Sequence, residues 1–393
     1  MTRQSLLARA RDLEPTVRDA AEETERTGTL PASLVTLLRD SGLFAVLVPQ
    51  EVGGEGADLL TAMEAIEIVS RADGSTGWSL MANCTATALT AAHCGDRAVE
   101  AIFGASDGRA ILAGMLAPGG TSIVVDGGYR MSGEYRFGSG SGHADWLGAG
   151  TLVIVNGKPR KLASGVAEVR VVVVPRDAVV FRGNWDVFGL NGTGSFDYDV
   201  PEQFVDDDFS YELTRLQPRR GARLFEIGVF GFSSLGHAAV ALGITARALA
   251  EIARLAPGKK RLGYRDGVGN HPLFLHEFAH HEAMYQAARA YTYDVFGKAQ
   301  SLLDDGGELP DELRQRFRQA LTYVHRVGSE VVEWCYRWAG TDALRNPHPL
   351  GRCMRDMHGA TQHLFVDPLS YVDAAPSLVA SWRGTDGFSP EHT

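Results

Sequence analysis

The chain has 393 residues, 45% hydrophobic and 22% charged, which is the composition of a soluble globular protein of roughly two to three domains and excludes a disordered chain. A net charge of -10 argues against a nonspecific grip on nucleic acid or on an anionic membrane, because both require clustered Lys and Arg to replace counterions. Four cysteines, Cys84, Cys94, Cys335 and Cys353, lack CxxC spacing. They read as buried small hydrophobes in a reducing cytoplasm rather than as a zinc ribbon or a disulfide framework. Asp12 and Glu14 arrive before any apolar run, which is wrong for a signal peptide.

In chain order, apolar positions recur at three and four residue spacing through Leu6–Ala21, Leu34–Leu43 and Leu59–Val69, so the first hundred residues are expected to be helical. The breaks fall at Gly28, Pro31, the loop Pro49–Gly56 and the string Asp73-Gly-Ser-Thr-Gly77. From about Ala110 the period becomes two, predicting strands over Ile111–Met115, Ser122–Val125, Tyr129–Phe137, Leu147–Val155, Val169–Val174 and Ala178–Arg182. After Asp206-Asp207-Asp208 the helical period returns over Arg223–Leu255, Pro272–Leu303, Pro310–Ala339 and a last helix around Arg352–Phe365. The expected fold is mainly α with a central β domain: 1–108 helical, 109–215 β, and 216–393 a helical bundle. Ile227–Ala246 lacks Asp, Glu, Lys and Arg and reaches the ~20 residues that span a bilayer. Its Ser233, Ser234, His237 and four glycines mark it instead as a buried bundle helix, so no membrane partner is expected.

Three strings and one basic cluster carry candidate chemistry. His276-Glu-Phe-Ala-His280 matches HExxH, a zinc pattern with Glu277 as base, but no Gly-x-x-His follows and only the later Glu308 offers a third ligand. It reads as a polar helix face, and no metal is expected. Phe137-Gly-Ser-Gly-Ser-Gly-His-Ala-Asp-Trp146 is neither a nucleophile elbow nor a phosphate loop, yet its glycines let a flat ligand approach the backbone beside a Ser hydroxyl. Arg352, Asp356 and His363, spaced four and seven, would share one face of a helix, as an oriented histidine or as an ion pair beside a core histidine. Lys259, Lys260, Arg261 and Arg265 form a small basic cluster, able to hold a phosphate or simply solvated.

Taken together, these strings resemble the acyl-CoA dehydrogenase superfamily, and within it the oxygenase components of two-component flavin-dependent monooxygenases. The resemblance spans nearly the whole chain. It rests on Leu37–Phe44 leading into Val48–Gly56, Ala72–Trp78, Phe137–Gly140 with His143–Trp146, Gly189-Leu-Asn-Gly-Thr-Gly-Ser195, and the segment from Arg355-Asp356 to His363. It implies an N-terminal helical domain, a β-barrel-like middle domain and a C-terminal four-helix bundle. By resemblance Phe137 and Ser139 lie beside the flavin ring, with Ser139 near N5, and Arg261 reaches a flavin phosphate across a subunit interface. The late glutamate that serves acyl-CoA dehydrogenases as base has no equivalent here, and His363 resembles the monooxygenase branch instead. The Gly-Ser alternation around Ser141 and Gly142 departs from the family pattern.

The implied function is hydroxylation of an aromatic small molecule, phenolic or indolic, through a flavin C4a-hydroperoxide, in a cytoplasmic homotetramer. Reduced flavin, FADH2 in preference to FMNH2, would come from a separate NAD(P)H-flavin reductase, with O2 as co-substrate. Ser139 would hold N5 and His363 would move the substrate proton, with Trp78 and Phe232 as aromatic walls or as ordinary core. The alternatives are N-oxygenation of a nucleotide-linked amino sugar, which needs a further basic site for the diphosphate, and acyl-CoA dehydrogenation, disfavoured by the missing glutamate.

Overall fold

The computed structural model describes residues 3–106 and 108–383; residues 1, 2, 107 and 384–393, which fall in the N- and C-terminal blocks bounded above, lie outside the described residues. Five helices come first: α1 (Arg3–Thr27), α2 (Ala32–Asp40), α3 (Leu59–Ala72), α4 (Gly74–His93) and α5 (Asp96–Phe103). The Asp73–Gly77 string, expected as a break, is a helix start. Asp73 closes α3 and caps α4, its Oδ2 accepting the Thr76 backbone N–H at 2.8 Å and the Thr76 hydroxyl at 2.7 Å. Packed against α3, α6 and β1, α4 is buried along nearly its whole length.

The middle block holds β1 (Leu112–Val125), β2 (Gly128–Gly138), β3 (Trp146–Val155), β4 (Lys158–Pro159), β5 (Val169–Pro175), β6 (Val180–Phe181), β7 (Phe196–Asp206) and β8 (Ser210–Glu212). They form one mixed sheet in the order β6-β7-β2-β1-β3-β5-β8, with β4 attached to β3 and β1 parallel to β3. The two short strands expected at Ile111–Met115 and Ser122–Val125 are one strand, kinked where the register to β3 shifts between Met115 and Gly120 around Pro118. Strands β7 and β8 were not expected. In β7, Pro201 interrupts the alternation, and the sheet absorbs it at a register shift between the Val200 and Gln203 pairs.

The last block contains α6 (Gly228–Leu255), α7 (Pro272–Asp304), α8 (Asp311–Ala339), α9 (Pro349–Ala360) and α10 (Leu369–Arg383). Helices α6, α7 and α8 pack pairwise, α10 lies on α8, and α9 sits against both α6 and α8. The helix expected around Arg352–Phe365 stops at Ala360. Consequently Arg352, Asp356 and His363 do not share a helical face: His363 lies beyond the helix and begins the 3-10 turn Leu364–Val366. Residues Arg223–Gly258 contain a helix long and apolar enough to cross a membrane, but 89% of its apolar window is buried inside the protein. All four cysteines are buried and unpaired in disulfides.

Small residues let α6 approach the N-terminal helices. A Cβ on Gly243 would lie 2.5 Å from Ser70 Cβ and 2.6 Å from the Glu67 carbonyl oxygen of α3, and one on Gly236 would lie 2.2 Å from Met81 Cγ of α4. Since backbone atoms of α3 cannot swing aside, Gly243→Ala is expected to push the helices apart and cost about 1–3 kcal/mol. Urea unfolding measures this, and an unchanged midpoint would show that Gly243 does not set the α3–α6 distance.

Candidate active site

The site is built around Trp78, four residues into α4 and buried. Its indole Nε1 donates to Ser139 Oγ at 3.0 Å, just past the end of β2. Its ring meets His237 of α6 edge-on at 4.7 Å between centroids and His363 edge-on at 5.8 Å. The two imidazoles lie 4.0 Å apart and are tilted by 36°. One tryptophan therefore joins the helical N-terminal block, the sheet and the C-terminal bundle.

Around Ser139 the backbone is held in an uncommon shape. Phe137 has φ of 59°, and Ser139 N–H donates back to its carbonyl at 2.8 Å, a tight turn whose left-handed residue is bulky rather than glycine. Phe137 is 59% exposed, and its ring meets Trp185 edge-on at 6.2 Å. Ser139 Oγ also accepts from Ser195 Oγ at 2.9 Å; Ser195 contacts Thr193 Oγ1 at 2.7 Å, and Thr193 Oγ1 reaches the Leu190 carbonyl at 2.9 Å. Leu190, with φ of 58°, is held by its N–H donating to buried Asp356 Oδ1 at 2.7 Å. Two of the three non-glycine residues at positive φ among the described residues thus flank this hydroxyl chain.

The histidines are kept neutral. Burial pushes His363 down to about 4, with the nearby His325 adding to the effect, and burial likewise pushes His325 to about 4 and His237 well below the ordinary histidine value. His237 Nδ1–H donates to the Ser233 carbonyl at 2.6 Å, which leaves its Nε2 as an acceptor. His325 donates from Nδ1 to Leu321, and its buried Nε2 has no hydrogen-bond partner. His363 Nδ1 caps the Phe365 N–H at 3.4 Å, a long contact that places the ring proton on Nε2 while it lasts. Asp356, buried near Asp73, is raised to about 7, chiefly by desolvation.

The chain belongs to the acyl-CoA dehydrogenase superfamily. Residues 2–103 match the family model of the acyl-CoA dehydrogenase N-terminal domain and 235–368 that of its C-terminal domain. It is similar to the indole-3-acetate monooxygenase of Pseudomonas putida, 28% identical over 360 residues covering 91% of this chain and 90% of that one. It is also similar to the flavin-dependent monooxygenase oxygenase subunit HsaA of Mycobacterium tuberculosis, 29% identical over 381 residues, 93% and 92% of the two chains. A crystal structure of that organism's HsaA monooxygenase superposes with a TM-score of 0.88 at 27% identity, over 97% of this chain and 98% of that one. A shorter likeness, 29% over 205 residues and about half of each chain, is to the FADH(2)-dependent resorcinol hydroxylase oxygenase component of a Rhizobium species. Within the acyl-CoA dehydrogenase superfamily the chain falls in the flavin-dependent monooxygenase branch.

Of the residues expected from sequence, Trp78, Ser139 and His363 come together. Phe232 is buried on Phe225, 5.4 Å between centroids. Arg261 lies at the end of α8: its Nη2 donates to the Arg337 and Trp338 carbonyls at 2.8 Å and its guanidinium lies 4.8 Å over the Trp338 ring. Lys259 pairs with Asp342 at 2.6 Å. Asp356 holds Leu190 rather than His363, and Arg352 pairs with Glu25 at 3.0 Å. In the HExxH string Glu277 Oε2 accepts from both Trp334 and Trp338 Nε1 at 2.8 Å, while His276 and His280 are exposed. His237, His325, Thr193 and Ser195 were not singled out as site residues. A signal existed for His237: Ser233 and His237, four apart, are polar groups on one face of an otherwise apolar helix.

Because His93, His143, His325 and His363 are depressed to about 4 and His237 further, the unfolded chain binds more protons than the folded one between the ordinary value near ~6.5 and ~4. Stability is expected to be fully present above that ordinary value and to fall as pH drops through this window. Each histidine contributes at most about 1.4 kcal/mol per pH unit, and the raised Asp73 and Asp356 partly oppose them. Urea midpoints at successive pH values check it; a flat profile would mean that these imidazoles titrate as exposed ones.

Proposed function

We propose that this monooxygenase hydroxylates an electron-rich aromatic small molecule, phenolic or indolic, using O2 and FADH2 delivered by a separate NAD(P)H-flavin reductase. The observation that carries this reading is the placement of a Ser139 hydroxyl and a neutral His363 imidazole both against Trp78. The relatives' names, an indole-3-acetate monooxygenase, an oxygenase subunit and an FADH(2)-dependent resorcinol hydroxylase, support the aromatic substrate, the reductase and the flavin respectively.

The residues present suit a flavin ring. Phe137 offers an uncovered aromatic face, and Ser139, half-buried, is a hydroxyl with both donor and acceptor capacity beside it. Arg261 retains Nε and Nη1 for a flavin phosphate, contributed to a neighbouring subunit of a homotetramer. Reduced flavin, when bound, activates dioxygen so that one oxygen atom enters the substrate ring and the other leaves as water. Ser139 would hold the ring at N5, and the aromatic wall of Trp78 would exclude water. His363 exchanges a proton with the substrate hydroxyl or ring N–H at Nε2, its tautomer switching when the long cap to Phe365 opens. His237, with Nε2 fixed as an acceptor, supports it.

Steady-state turnover of phenols and indoles with added reductase, NADH and FAD tests the reading, with hydrogen peroxide measured alongside product. Ser139→Ala is expected to divert reducing equivalents to hydrogen peroxide, since it loses one hydrogen bond worth ~1–3 kcal/mol. His363→Ala is expected to slow product formation by about 10²–10⁴-fold while reduced FAD still binds. His276→Ala should change neither quantity, and the purified protein should carry no stoichiometric zinc. Wild-type hydroxylation by His363→Ala would reduce that histidine to a turn cap.

A further inference from the structure

The hydroxyl chain behind Ser139 has a property that its distances define, and it bears on the reading of Ser139 as the flavin contact, on which this inference rests. Ser139 Oγ has one hydrogen and two lone pairs, and Trp78, a donor only, occupies one lone pair at 3.0 Å. Behind it stand Ser195 at 2.9 Å, then Thr193 a further 2.7 Å away, then the Leu190 carbonyl at 2.9 Å. Thr193 and Ser195 are fully buried, so the chain's one open end is Ser139.

Two complete arrangements of hydrogens fit these positions. In the first, Thr193 donates to Ser195 and Ser195 to Ser139; both Ser139 lone pairs are filled and its own hydrogen points outward. In the second, Thr193 donates to the Leu190 carbonyl, Ser195 to Thr193 and Ser139 to Ser195, so a Ser139 lone pair points outward. In the first arrangement the Leu190 carbonyl keeps two donors, Trp185 Nε1 at 3.1 Å and the Thr193 N–H at 3.2 Å, and in the second it shares its lone pairs with the Thr193 hydroxyl as a third. Only three hydroxyl rotors turn. The heavy atoms stay in place, fixed through backbone bonds that do not involve these hydroxyls: Gly140 N–H to the Thr193 carbonyl at 2.9 Å and Ser79 Oγ to the same oxygen at 3.2 Å.

Oxidised flavin presents N5 as an acceptor, and reduced flavin presents it as an N–H donor. We infer that Thr193 and Ser195 are positioning residues that let Ser139 change from donor to acceptor as the flavin changes redox state. Ser195→Ala removes the inward acceptor of Ser139, and Thr193→Val leaves Ser195 no acceptor but Ser139, so in both variants the Ser139 hydrogen is turned outward, which suits the oxidised ring and opposes the reduced one.

The test is anaerobic titration of the full-length protein with oxidised FAD and with dithionite-reduced FAD, together with the midpoint potential of the bound flavin. Ser195→Ala and Thr193→Val should each weaken reduced FAD about tenfold while leaving oxidised FAD within about twofold, lowering the potential by about 30 mV for a two-electron couple. Thr193→Ser, which restores the hydroxyl, should behave as wild type. Equal loss for both redox forms, or a Thr193→Ser that behaves like Thr193→Val, would overturn the inference. Ser139→Ala separates the two levels: if it leaves both affinities unchanged, the flavin assignment of Ser139 fails. If it alters them while Ser195→Ala and Thr193→Val leave their ratio untouched, only the hydroxyl chain is refuted.

Discussion

The hydrogen bond from Trp78 to Ser139 is the constraint on which the candidate site depends. An indole N–H buried without a partner costs about 1–3 kcal/mol, and Ser139 is the acceptor the structure supplies. Meeting that demand fixes the rotation of α4 relative to the end of β2. The same ring then presents its other contacts to His237 and His363, so the bundle is registered against the sheet through one side chain. The cap at Asp73 places Trp78 in the second turn of α4, and the small residues of α6 bring His237 within reach.

Around this link the protein arranges its charges at a distance. Imidazoles and hydroxyls surround Trp78, while the ion pairs of Arg352 and Arg355 with Glu25 tie α9 to α1. Asp356 connects the two zones. Its carboxyl, on α9, accepts the Leu190 N–H and so holds the Gly189–Ser195 loop in a left-handed turn. Gly189 is obligatory there because a Cβ would lie 1.9 Å from the Arg355 carbonyl oxygen. A strained loop costing roughly 1–3 kcal/mol per such residue persists only when its surroundings over-determine it, and here a buried carboxyl does so.

The helix–sheet–helix order was legible in the sequence because periodicity changes are strong signals over long segments. Local features that carry two roles were not. Asp73-Gly74 has the composition of a turn, yet one aspartate ends α3 and starts α4 without an intervening loop. Pro201 hides β7, since a proline argues against a strand unless a register shift accommodates it. The reading of Arg352, Asp356 and His363 as one helical face failed because α9 stops at Ala360, three residues before the histidine. Trp78, Ser139 and His363 were found through family resemblance; His237 and His325 belong to no string, because helices α6 and α8 bring them together from 88 positions apart.

Under the proposed function, neutrality also shapes what the Trp78 cluster can recognise. Trp78, Ser139, His237 and a His363 depressed to about 4 are all uncharged at neutral pH, so none of them offsets the desolvation of a carboxylate or phosphate drawn in beside them. What they offer instead is an aromatic edge, one hydroxyl and imidazole nitrogens whose roles are set by their backbone partners, a set that pairs with a neutral ring bearing a single O–H or N–H. A substrate carrying a charged group would have to keep that group outside the Trp78 cluster, leaving the ring alone in contact with it. The character of the cluster thus rests on hydrogen-bond polarity rather than on charge, set for His237 by the Ser233 carbonyl and for His363, while its long cap lasts, by the Phe365 N–H, backbone atoms that side-chain substitution at their own positions leaves in place.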